Sequence, residues 1–221
     1  DHGAVWVGAE VDTNATDLSQ PSVKGEALAE PARGKVAAQL ASAPGAHDQK
    51  CDATDAKQGK VLDATLELTD EPKVRAVASL KDGVAIVDPG GVVIARSAPL
   101  GCTGPGASQD ELSTFAWLVV PRGLGVDTPH HPPNPQSALQ MLAVTYTNGG
   151  RRDWQTNVAV FARRDKTLVK VFEGLVASSD ANGAGHVWQS ALGNLVHSGP
   201  GETKKRAFRW DRAKFTFTAL P

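Results

Sequence analysis

Long apolar runs are missing from this sequence; Val158-Ala159-Val160-Phe161 and Trp117-Leu118-Val119-Val120 lie within the longest, 158–162 and 115–120. A bilayer-spanning helix needs roughly 18 or more apolar residues in a row, and no stretch qualifies. Tyrosine and methionine occur once each, at Tyr146 and Met141, and isoleucine only at Ile86 and Ile94. Beside abundant Ala, Gly, Val and Pro, that scarcity suggests a GC-rich bacterial source.

Motifs that carry chemistry are equally scarce. There is no Gly-x-Ser-x-Gly elbow to expose a nucleophilic serine. Gly104-Pro105-Gly106 resembles no phosphate-binding loop, and its proline removes a donor amide. The six histidines, His2, His47, His130, His131, His186 and His197, include no His-x-His pair, the spacing that puts two rings on one face of a strand. His130-His131 lies in an extended proline-rich stretch where neighbouring side chains diverge. Neither C-x2-4-C nor H-x3-5-H spacing occurs, so zinc has no recognisable ligand set. The sequence therefore offers no catalytic, cofactor or metal residue.

Only two cysteines are present, Cys51 and Cys102, each in a turn-rich stretch rather than an apolar strand. That placement predicts a disulfide and an oxidising compartment. The chain starts at Asp1 without Met, as expected after removal of a leader or trimming of the terminus. These features predict an extracytoplasmic protein: periplasmic, outer-envelope or secreted.

Charge balances overall at −1, yet its distribution is uneven. Residues 151–221 hold twelve Lys and Arg against six acids, whereas residues 1–150 hold eleven against eighteen. The final third can therefore offer a basic face to an anionic partner, or pack on the acidic remainder.

Patterning predicts a mainly β chain: an antiparallel sandwich, barrel or propeller-like meander with one short N-terminal helix. It reads as a single domain over 1–221, with an N-terminal arm, helix and loop over 1–59 and the meander over 60–221. A strand is expected at Ala4–Val11, then a helix from Pro31 to about Ser42. Strands follow near 60–69 with a phase slip at Asp63-Ala64, and at 74–80, 84–87, 92–95, 114–120, 139–147, 156–163, 168–172, 187–192, 195–197, 206–210 and 214–218. Turn residues such as Asp88-Pro89-Gly90-Gly91, Asn148-Gly149-Gly150 and Arg164-Asp165-Lys166 separate them.

Five tryptophans against one tyrosine concentrate aromatic surface in few places. Trp117 belongs in an apolar strand and reads as core. Trp154 follows Arg151 and Arg152; Trp210 lies among Lys204, Lys205, Arg206, Arg209 and Arg212. Trp beside Arg suits cation–π contact or recognition of a sugar or peptide, although a charged edge strand also guards a sheet against association. These nine residues form the predicted binding face. The function expected is non-enzymatic binding or assembly in a bacterial envelope or extracellular structure. A secreted hydrolase of unrecognised family and a carbohydrate-binding module are the alternatives. Partners expected are a protein or a second copy, engaged through strand 4–11, or an anionic surface or glycan; nucleic acid is not expected.

Overall fold

Met141–Tyr146 and Val158–Ala162 are buried at every position, which a strand tolerates only when both of its faces are covered. The computed structural model shows what covers them. It describes residues 16–18, 35, 38–39, 64–66, 74–80, 83–88, 90–101, 111–121, 138–180, 185–191 and 194–221. Among these residues the chain forms β1 (Thr16–Asp17), β2 (Ala64–Leu66), β3 (Val74–Ser79), β4 (Gly83–Val87), β5 (Val93–Arg96), β6 (Glu111–Pro121) and β7 (Ala138–Gly149). It continues through β8 (Trp154–Arg164), β9 (Thr167–Ser178), β10 (Val187–Ala191), β11 (Asn194–Ser198), β12 (Arg206–Asp211) and β13 (Thr216–Ala219).

The strands build two sheets. The larger has the order β2-β3-β4-β5-β9-β8-β7-β6 and the smaller β1-β10-β11-β12-β13. All pairings are antiparallel except β5 with β9, where Arg96 is the register partner of Thr167. The larger sheet curls until its outermost strands, β2 and β6, come within 8 Å of each other between Cα atoms. Its concave side holds one core: Ala76, Ala78, Leu80, Val84, Ile86, Ala95, Leu112, Leu142, Val144, Tyr146, Ala159, Phe161 and Leu168. Its convex side, through Leu118, Met141, Ala143, Val158, Val160, Ala162 and Val171, packs on Leu18, Trp188, Leu195 and Phe217 of the segment and strands opposite. Strand alternation does the sorting: even positions of β7 enter the first core and odd positions the second. The fold is mainly β, a half-barrel sheet with a smaller sheet laid against its outside.

β9 is the strand that both sheets use. Its register against β8 slips twice, between Thr156/Asn157 and between Val160/Phe161, and each slip leaves one extra residue on β9, Val176 and Val171. Such bulges bend a strand and turn its backbone groups outward. Here the turned carbonyls go to the smaller sheet: Thr216 Oγ1 donates to Val171 O at 2.9 Å, Trp188 Nε1 to Leu175 O at 2.8 Å, and the His186 amide to Val176 O at 3.1 Å.

The amino-terminal part docks at two points. Lys35, Ala38 and Gln39 are helical, and the Gln39 amide donates to Gly91 O and accepts from the Val93 amide, both at 2.9 Å. The side chain thereby imitates a strand partner at the start of β5. Thr16 and Asp17 pair with Ser190 and Gln189, so β1 is an edge strand of the chain's own smaller sheet. The predicted strand 4–11 and both cysteines, Cys51 and Cys102, lie outside the described residues. So do His2, His47, His130 and His131. No helix among the described residues is long and apolar enough to cross a membrane.

Candidate functional site

The turns at the two ends of the strands around the second core carry separate groups of charged residues. At one end the β8–β9 and β12–β13 hairpins meet. Arg164 pairs with Thr167, leaving Asp165-Lys166 as a two-residue turn. Asp211 pairs with Thr216, leaving Arg212–Phe215 as the second loop. The Arg164 guanidinium lies over the Phe215 ring, 4.2 Å from its centroid, and that ring meets Trp210 edge-on at 5.1 Å. Trp210 in turn meets Phe217 at 5.4 Å, linking the surface contact to the core.

Asp165 and Phe215 are the non-glycine residues with positive φ among the described residues, both at 54°. Aspartate tolerates that region in a turn, but for a bulky side chain it is strained. Phe215 is held there by the ring contacts on its two sides. Strained backbone of this kind tends to persist at ligand sites, where surrounding contacts over-determine it.

The electrostatics of this tip are one-sided. Arg164, Lys166, Arg212 and Lys214 are exposed, with Arg96 and Arg163 half-buried behind them. Against them stand Asp165 and Asp211. Asp211 accepts from the Lys214 amide at 3.1 Å and faces its ammonium at 3.3 Å. That amide bond, with help from the ammonium, holds the Asp211 carboxyl below its usual range. The Arg163 Nε donates to Asp165 O at 2.9 Å, which stiffens the first turn.

The opposite end gathers the β7–β8 turn, the end of β9 and the loop before β12. Arg151, Arg152, Lys204, Lys205 and Arg206 are exposed there, and Trp154 is half-buried. Gly199-Pro200-Gly201-Glu202 forms a tight turn, closed by the Glu202 amide donating to Gly199 O at 3.1 Å, with Gly201 at φ 69°. Proline second and glycine third is the composition such a turn requires. The turn aims the Glu202 carboxylate, which receives Arg206 Nη2 at 3.0 Å and the Gly199 amide at 3.3 Å.

The nine predicted residues therefore do not share one face. Arg151, Arg152, Trp154, Lys204, Lys205 and Arg206 collect at this second end. Arg209, Trp210 and Arg212 run along β12 towards the hairpin tip. Phe208 and Trp210 pack inward against the second core while Arg209 is exposed, so Trp210, expected on the binding face, serves mainly as core. The predicted binding face does not include Arg164, Lys166, Lys214 or Phe215, which the structure places at the tip. The available signal was two strand–turn–strand units whose turns each combine an aspartate with cations, Arg164-Asp165-Lys166 and Asp211-Arg212-Ala213-Lys214.

A third constellation lies at β9 on the concave side. The Tyr146 hydroxyl donates to Glu173 Oε1, and Lys170 Nζ meets Glu173 Oε2 at 2.8 Å. Burial, followed by the bond to Glu173 and its charge, holds the phenol far above its usual range. A phenol kept protonated is a hydrogen-bond donor here, and both carboxylate oxygens are engaged. The group acts as a tie between β7 and β9. Among the described residues, no three or more His, Cys, Asp or Glu side chains converge as metal ligands.

Comparison with protein-family models, with characterised proteins and with solved structures returned no match.

Proposed function

We propose that this chain is a binding or assembly protein of the extracytoplasmic space, and that the hairpin tip is where it receives an anionic partner. The observation that carries this reading is the meeting of two hairpins from different sheets at Arg164 and Phe215. It fixes four exposed cations on strand-anchored turns against two carboxylates, Asp165 and Asp211, the latter paired with Lys214. Cations held on rigid elements lose less freedom on binding than cations on free loops, and a one-signed patch steers an oppositely charged partner. The mainly β fold suits such a role. Trp210 and Phe215 are packed edge-on rather than laid out as a flat platform, which favours charge recognition over stacking on a neutral sugar. The extracytoplasmic setting draws its support from the two turn-borne cysteines.

The test uses a sulfated polysaccharide matrix as the anionic probe. Charge reversal at the tip (R164E, K166E, R212E and K214E together) is expected to lower the salt concentration needed for elution. The same number of reversals at the other end (R151E, R152E, K204E and K205E) is expected to change it much less. Equal effects from the two sets would show diffuse attraction without a site. No retention of the native chain at low salt would overturn the reading.

A further inference from the structure

The second end contains a group that anion binding at the tip does not use. His186 Nδ1 and His197 Nε2 are 2.9 Å apart. The ring centroids are 5.2 Å apart and the planes differ by 17°. With the nitrogens so close and the centroids so far apart, the rings lie end to end in nearly one plane. That is the geometry of an in-line N–H···N bond, in which one facing nitrogen donates and the other accepts. His197 is 8% exposed and lies 4.4 Å from the Trp188 ring. His186 is half-buried, and its amide holds Val176 O on the bulged end of β9.

We propose that this histidine pair is an acid-sensitive latch at one end of the smaller sheet: its side-chain bond ties His186 to β11, while the His186 amide ties the same residue to Val176 on β9 of the larger sheet. One proton added to the pair can sit on an outward nitrogen and leave the bond intact. A second proton places hydrogens on both facing nitrogens, so the acceptor is lost and two like charges oppose each other at hydrogen-bond distance. The rings must then part. His186 is the half-exposed partner, so it is the one that swings out. Its departure loosens the β9–β10 crossover and, beside it, the indole bond from Trp188 to Leu175 O.

The surroundings decide how hard the second proton is to add. Burial is the largest influence on His197, followed by His186, and both lower its affinity for protons; Arg206 on β12 acts the same way, while Glu202 opposes them. Trp188 on β10 adds no charge. At the end of β9, Ser178 donates to Asp180, and the β7–β8 turn presents Arg151, Arg152 and Asp153. Glu202 already serves Arg206 and Gly199, which limits its ability to stabilise an imidazolium at His197.

The test is a nuclear magnetic resonance titration of the native chain, following both imidazoles and the Trp188 indole proton. The pair is expected to take up its two protons in separate steps, the second, at His197, at lower pH than an ordinary imidazole. Across that second step, indole exchange corrected for intrinsic pH dependence is expected to rise by at least about tenfold, the equivalent of one unit of pKa. The H186Q variant, whose amide can bond a neutral His197, is expected to lack the second step and keep the indole protected. Two independent single steps in the ordinary histidine range, or an indole equally protected at pH 4 and pH 7, would overturn the latch. The measurement needs no anionic probe, so it stands or falls apart from the tip's role in binding.

Discussion

The indole of Trp188 occupies the space that a side chain on Gly174 would need: a Cβ there would stand 2.5 Å from Cζ2 and 2.6 Å from Cε2. Trp188 is 5% exposed and meets Phe172 edge-on at 4.9 Å, so it has little room to retreat. Gly174→Ala is expected to destabilise the chain by about 1–3 kcal/mol through overpacking. Urea unfolding checks it, with a lowered midpoint and unchanged slope as the expected result.

Leu18 is 1% exposed, and its carbonyl accepts from Thr145 Oγ1 at 2.7 Å on the twice-covered strand β7. Deleting residues 1–20 is therefore expected to cost about 2–5 kcal/mol, as removal of a buried leucine does. This is the outcome of an edge strand serving its own fold. A truncated chain with an unchanged thermal midpoint would instead favour strand exchange between copies.

Tyr146 is the single tyrosine, so phenolate absorbance reports it without overlap. Its folded affinity for the proton is raised, whereas in the unfolded chain it releases the proton near pH 10. Above about pH 10 the unfolded state holds fewer protons, and stability is expected to fall as pH rises further. Native phenolate should appear only together with unfolding. Tyr146→Phe should remove that alkaline slope while lowering stability near pH 7 by about 1.5–3 kcal/mol, through the lost bond to a carboxylate.

For His197 the sign is opposite. Its folded affinity for protons is lowered, so protons favour the unfolded chain as pH drops. Stability is expected to be intact above about pH 6.5 and to decline through the folded value below it. Chemical denaturation at pH 7.5, 6 and 5 should show this decline in the native chain. It should be smaller in His197→Gln.

A disulfide between Cys51 and Cys102 is expected to close a loop of about 50 residues and to contribute roughly 4 kcal/mol. Intact mass after alkylation, with and without reductant, decides it. Two alkylated thiols without reductant would refute the bond and remove the main support for an extracytoplasmic setting.

The period-two alternation made most of the meander legible, from Val74 to the closing hairpin, because half-buried strands sort residues by face. For β9 the alternation predicts only Leu168–Phe172, whereas the strand runs from Thr167 to Ser178. Gly174 and the extra residues Val171 and Val176 break the alternation there, for reasons that lie in the second sheet. β1 was missed because two residues carry no period. The basic character of the final third was visible, but its division between two ends depends on which turns adjoin in space. The histidine pair was invisible, since its members stand eleven positions apart and only the Val187–Ser198 register brings them together.

The strand order also constrains how the chain reaches this structure. After β5 it leaves for the far edge of the larger sheet and returns strand by strand through β6, β7 and β8 to β9. β2–β5 and β6–β9 are each a run of neighbouring antiparallel strands, assembled from contacts close in sequence and therefore quick to form. The parallel seam at Arg96 and Thr167 joins positions far apart in the chain and closes a large loop. Joining the two meanders at this seam is thus expected to be the slow step, which stopped-flow refolding would check. A mutation confined to that seam should slow folding without disturbing the hairpins on either side.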